Sequence, residues 1–296
     1  MSTALAGVLL LDKPVGLSSN AALQKVRHLA GRIKAGHTGS LDPLASGMLP
    51  ICLGEATKIA GEMLSRGKCY RFGVQLGERS ATGDAEGEIV ERCPVPSLSH
   101  DTVRAILGRF QGEQQQIPPM YSALKRDGEP LYRLARRGVS VEREARSIKI
   151  AALELLGLEP GRLQLRAVCS KGTYVRVLAE DIARSLGTCG RLYELRREYV
   201  DPFGEEPMAK LEDLEAAASP KDWPILPADR AVSHLPALHL DLTSVKALTH
   251  GKTVAAAAPQ TGAYRLYDPE GRFVGLGQAD MAHTLRVLRL FAAAQQ

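Results

Sequence analysis

Short strand-like runs and helical stretches are interspersed along this chain without the strict strand–helix–strand rhythm of a doubly wound sheet. That order constrains the fold most, and it predicts an α+β protein whose central sheet is mixed or largely antiparallel and flanked by helices. Gly7–Leu11 reads as a buried strand closed by Lys13-Pro14-Val15-Gly16. Ser18, Ser19 or Asn20 can cap a helix to about Ala30, with Leu23, Val26 and Leu29 at helical spacing. A loop over Gly36–Gly47 precedes an apolar run, Met48 to Leu53, and a helical stretch, Glu55–Leu64. Tyr70–Leu76 alternates as a strand does, Gly77 to Gly87 is turn-rich, and a helix is expected near Thr102–Phe110. Ile148–Leu158 and Leu163–Val168 form a strand pair around Pro160-Gly161; Thr173 can cap a helix to Leu186, and Leu192–Val200 is another strand. Prolines cluster from Asp201 to Pro236, around a helix near Leu211–Ala218, and are read as the join to a small β-rich module with strands at Ala263–Tyr267, Phe273–Gly277 and Thr284–Phe291. Its ~60 residues are few for independent stability, so it should pack on the larger body.

At 296 residues, 45% apolar and 24% charged, the chain can bury an ordinary core. An excess of 38 basic over 33 acidic residues suits a polyanionic partner without establishing one. Five cysteines with no close pair predict buried thiols in a reducing cytosol, against a disulfide framework or a zinc site. No apolar run approaches the ~20 residues of a spanning helix and the start lacks a basic n-region, so a soluble cytoplasmic protein is expected.

The stretch from Gly36 to Ala45 carries one carboxylate, Asp42, among residues that shape backbone. Gly36, Gly39 and Gly47 permit positive φ, Pro43 fixes φ after the acid, and His37 precedes it by five residues. A structured turn explains the stretch equally, since Asp-Pro opens turns. Its companions add weight. In Lys68-Cys69-Tyr70 a tyrosine can stack on a base and hydrogen-bond beyond it, or be an ordinary half-buried residue. In Ser170-Lys171-Gly172-Thr173-Tyr174-Val175-Arg176 an arginine sits at the positive end of a helix. Asp42 could compensate it and be kept ionised in return; Glu180, at i+4, is the local alternative. From Gln116 to Arg146, Tyr121 and Tyr132 are interleaved with Lys125, Arg126, Arg133, Arg136, Arg137, Arg143 and Arg146, against four acids, a mixture suited to bases and phosphates or to a solvated helix face.

Other motifs fail. His250-Gly251-Lys252-Thr253 lacks the first glycine of a phosphate loop, and Gly275-Leu276-Gly277 the third of a dinucleotide fingerprint. Ser40, His37 and Asp42 lie too close along one loop to stack as a hydrolytic triad.

Taken together, the chain resembles the bacterial tRNA pseudouridine synthase B (TruB) family. The resemblance rests on Gly7 to Pro14 with Gly16, Ser18 and Ser19, on Ala35 to Lys58, on Lys68-x-Tyr70 followed by Leu76-Gly77, Thr82, Asp84 and Gly87, on Tyr121 to Lys125 with Leu131-Tyr132, and on Cys169 to Arg176. Ser40 and Ser80-Ala81 depart from the familiar pattern without removing a functional group. The resemblance implies a catalytic domain over 1–232, with an RNA-binding insertion at about 116–146, and a PUA-like RNA-binding domain over 233–296. It implies conversion of uridine 55 in the T loop of tRNA to pseudouridine, without cofactor or metal, by a monomer needing no protein partner. Asp42 would be the catalytic carboxylate, either attacking ribose C1′ or abstracting a proton. Tyr70 would stack on the uracil and help move the C5 proton, Arg176 would hold Asp42 ionised, and Leu195 would pack on the base. His37 would fill the gap left by the extruded base, Tyr174 would contact substrate, and Lys13 and Pro14 would support the loop. Lys125, Arg126, Arg133, Arg136 and Arg137 would hold RNA. The rivals are a non-catalytic tRNA-binding or folding factor that uses the same surface, and a transglycosylase, which should carry a zinc-binding cysteine cluster that the sequence lacks.

Overall fold

In the computed structural model, residues 5–204, 206–255 and 258–291 are described. The first four residues, Glu205, Ala256 and Ala257, and the last five of the module expected over 233–296 lie outside that set. Nine strands form one mixed sheet: β1 (Gly7–Lys13), β2 (Ala35–His37), β3 (Ser46–Leu53), β4 (Lys68–Leu76), β5 (Gly112–Gln116), β6 (Arg146–Glu159), β7 (Arg162–Cys169), β8 (Gly190–Val200) and β9 (Ile225–Leu226). They run in the order β9-β1-β3-β8-β4-β7-β6-β5, with β2 on β3. Every pairing is antiparallel except that of β8 with β3.

The period of two sorts the strand side chains onto two faces. Leu9, Leu11, Leu49, Ile51, Phe72, Val74, Leu165 and Leu192 lie in one core with the apolar stripes of helices Ser19–Leu29, His100–Gly108 and Val175–Ser185. On the other face Val8, Leu10, Met48 and Val200 share a core with Leu276 and Phe291 of the C-terminal module. The module therefore packs on the larger body as its small size requires. Its own five-stranded sheet orders Ala237–His239, Gly262–Tyr267, Phe273–Ala279, Thr284–Leu290 and Val254–Ala255.

Three expectations change. The loop around Asp42 is shorter than Gly36–Gly47, because Ala35–His37 pairs with β3. The proline-rich stretch is more than a join, since β9 within it extends the main sheet beside β1. Cys93 and Cys189 form a disulfide with their Cα atoms 5.7 Å apart, against the expectation of thiols alone. The 96 residues between them hid the pairing; Gly77 brings it about, donating its N–H to Cys189 O at 2.8 Å and accepting from Cys93 N–H at 2.9 Å. Cys52, Cys69 and Cys169 are buried thiols, and burial pushes those of Cys52 and Cys69 up to about 12.

Candidate active site

The loop bearing Asp42 is pinned from three sides. Ser19, at the buried start of its helix, accepts from Leu41 N–H at 2.7 Å and donates to Leu41 O at 3.0 Å. Gly16 N–H donates to Pro43 O at 2.8 Å and ties the Lys13–Gly16 turn to the loop, while Lys13 Nζ donates within its own turn to the carbonyls of Pro14 and Leu17. Gly39 and Gly47 take φ of +87° and +100°, and a Cβ on Gly47 would stand 2.2 Å from Arg197 O. Gly36 needs no such freedom; it lies in strand β2.

Across the cleft, Arg176 leaves the first turn of its helix and meets Asp42. Its Nε is 2.9 Å from Asp42 Oδ2 and its Nη2 3.4 Å from Oδ1. Nη1 donates to Thr82 O at 2.9 Å and Nη2 to Tyr121 O at 2.7 Å. The partner is thus Asp42 and not Glu180. Asp84 lies 3.8 Å from Arg176 Nε and accepts from the Thr82 hydroxyl and Glu86 N–H. The side chains of Arg176 and Asp84 are 6% and 5% exposed, whereas that of Asp42 is 39% exposed. Of these three groups, Asp42 is the one an incoming molecule can reach.

The electrostatics revise one expectation. Burial pushes the Asp42 carboxyl above its ordinary value; Arg176 opposes this, but Asp84 adds to it. Two acids share one guanidinium, so the ion pair moderates the effect of burial without cancelling it.

Thr173 does not cap the Arg176 helix. Its hydroxyl donates to Ser170 O, and the N-cap, Tyr174, has no side-chain cap bond. Gln116 clamps Tyr174 instead, accepting from its N–H at 2.8 Å and donating to its carbonyl at 3.2 Å. Tyr70 lies on β4 and is 7% exposed, more deeply buried than the half-buried alternative supposed, and burial pushes its phenol up. Leu195, on β8 opposite Phe72, belongs to the same core. His37 ends β2 with a buried Nδ1 that has no partner among the described residues; burial and then the Arg197 charge lower its pKa.

The five RNA-binding candidates do not reach Asp42. Lys125 and Arg126 sit on a hairpin with Glu129–Pro130 and, with Arg143, Arg146, Glu142 and Glu144, line a groove that Leu124 and Leu131 also line. Arg133 is exposed on the helix Leu131–Arg136, Arg136 lies over the Tyr132 ring at 5.7 Å, and Arg137 is held by both oxygens of Glu129 at 2.6 and 2.8 Å. The insertion touches the site through Tyr121, whose carbonyl binds Arg176. Among the described residues no group of three or more His, Cys, Asp or Glu could hold a metal ion. Sequence reasoning assigned no role to Asp84, which reads as a turn residue, to Gln116, or to Arg197. For Arg197 the signal was a charge on the core-facing side of a strand.

Three family models cover most of the chain: "TruB family pseudouridylate synthase (N terminal domain)" over 27–175, "tRNA pseudouridylate synthase B C-terminal domain" over 176–233, and "Pseudouridine synthase II TruB, C-terminal" over 236–291. The chain is 49% identical to the tRNA pseudouridine synthase B of Aromatoleum aromaticum, over 98% of this chain and 95% of that one. It is 49% identical to that of Stutzerimonas stutzeri, over 92% and 91%. A chain from the crystal structure of a Cbf5-Nop10-Gar1 complex aligns with a TM-score of 0.72 at 28% identity, over 93% of this chain and 78% of that one. The fold is that of the pseudouridine synthases, enzymes that isomerise uridine in RNA. Within that class, the chain belongs to the TruB family.

Proposed function

We propose that this enzyme isomerises uridine 55 in the T loop of tRNA to pseudouridine, with Asp42 as the catalytic carboxylate. The observation that carries the assignment is an acid partly open to solvent while its buried guanidinium partner is fixed by two further carbonyls. The reaction breaks the bond from ribose C1′ to uracil N1, turns the base and joins C1′ to C5; the C5 proton leaves and N1 regains one, so composition is unchanged. Asp42 either attacks C1′ or removes a sugar proton, and both routes need it ionised. The base must leave its stack, at a cost of a few kcal/mol that loop contacts offset. His37 braces the emptied position, Tyr70 and Leu195 flank the uracil, and Tyr174 contacts the nucleotide. Residues 1–232 form the catalytic domain and 233–296 a PUA-like domain that grips the acceptor-stem side. The chain acts as a cytoplasmic monomer, without cofactor or protein partner.

The test uses a T stem-loop tritiated at C5 of its uridines. Release of one tritium per RNA, abolished by cytidine at position 55, is the expected outcome; a folded enzyme that releases none would overturn the proposal. Tyr70→Phe should bind the same RNA normally but release tritium about 10²-fold more slowly, the usual scale of a lost proton-transfer group. Lost affinity at an unchanged rate would contradict that role. Binding should weaken steeply with salt, because Lys and Arg displace counterions from phosphate. Arg133→Ala should flatten the logarithmic salt slope by about one, and Arg137→Ala, already neutralised by Glu129, by less.

A further inference from the structure

Arg197 is 0% exposed, yet no carboxylate lies within ion-pair distance of it among the described residues. Its partners are main-chain carbonyls: Nε donates to Met48 O at 2.7 Å and Nη2 to Gly39 O at 3.1 Å. Nη1 is buried with no hydrogen-bond partner among the described residues. A buried cation satisfied only by carbonyls is costly, and an orphan N–H beside it adds to the cost. Its position suggests the return. Gly39 belongs to the loop of Asp42, and Arg197 is the direct cross-strand partner of Tyr70 in the pairing of β8 with β4. Side chains so paired project from the same face, about 5 Å apart at Cβ.

We propose that Arg197 is a positioning residue for the isomerisation: anchored by the carbonyls of Met48 and Gly39, it turns its remaining N–H toward the Tyr70 phenol oxygen, stabilising that oxygen whenever it bears negative charge. The inference rests on the reading of Tyr70 as the group that handles the C5 proton. The arginine already acts in this sense, drawing the phenol's pKa down while burial pushes it up. The other titratable groups acting on the phenol are Cys169, from β7, and Asp42, from the loop, and both work against ionisation. Arg197 is thus the cation that opposes them. Its charge also adds to the burial that lowers the His37 pKa.

The test is a double-mutant cycle of Arg197→Met and Arg197→Lys with Tyr70→Phe, read by single-turnover tritium release and by ultraviolet titration of Tyr70. Arg197→Met should cut the chemical rate about 30-fold with KM little changed, and raise the pH at which Tyr70 ionises. Arg197→Lys, keeping the charge but not the fork, should recover most of the titration shift and part of the rate. In the Tyr70→Phe background neither change should slow the reaction much further. If the losses are additive, or Tyr70 titrates unchanged, Arg197 acts only as a structural prop and the proposal fails. If Arg197→Met does not fold, the lysine arm of the cycle decides by the same criterion. A Tyr70→Phe enzyme of full speed would instead sink the reading of Tyr70.

Discussion

Asp42→Asn protein binds a T stem-loop as tightly as the unaltered enzyme and makes no pseudouridine. The amide has the shape of the carboxylate, so its oxygen can still accept from Arg176 and the pinned loop has no reason to move. What it cannot do is attack C1′ or take a proton. The expected loss is about 10⁴-fold or more in the chemical step, the scale seen when one member of a catalytic set is removed. Unaltered turnover would show Asp42 to be a turn residue and leave the non-catalytic tRNA-folding rival standing. The pH dependence follows with a definite sign. Burial raises the Asp42 pKa, and the active form is the anion, so activity should fall on the acid side at a pH above the ordinary aspartate value.

Arg176→Met should harm both reaction and fold. The guanidinium has four partners: Asp42, Asp84, and the carbonyls of Thr82 and Tyr121. Without it the buried Asp84 loses its nearest cation and two carbonyls lose a donor. Breaking a fully buried pair costs about 3–5 kcal/mol; Asp42 is partly exposed, so about 2–4 kcal/mol is expected in urea melts. The rate should drop about 10³-fold, because the Asp42 pKa climbs further and the acid limb of the pH–rate curve moves to higher pH. An equally stable variant with an unmoved acid limb would contradict the arrangement. Arg176→Lys should be intermediate, since one ammonium cannot span all four partners.

The sequence was informative where local chemistry decides the outcome. Ser18 caps its helix, the apolar alternation of Tyr70, Phe72, Val74 and Leu76 marks a strand, and the Asp42 loop is delimited by glycines that do take left-handed φ at Gly39 and Gly47. Arg176 at the unfavourable end of a helix correctly pointed to a distant acid. Long-range pairing was not legible. Gln116 clamps Tyr174 across 58 residues, Cys93 reaches Cys189 across 96, and Arg197 meets Tyr70 and Gly39 only once β8 is inserted between β3 and β4. The share of Asp84 in raising the Asp42 pKa, second to that of burial, was hidden for the same reason. Asp84 looked like a turn residue until the hairpin carrying it folded against Arg176.

Leu276 and Phe291 are embedded in the same apolar layer as Val8, Leu10 and Met48, and Lys58 donates across that seam to Leu290 O at 2.7 Å. The strands that frame the Asp42 loop are therefore bolted to the terminal module from behind. A ligand long enough to touch both meets two surfaces joined through one apolar layer, whereas a short stem-loop need engage only the first.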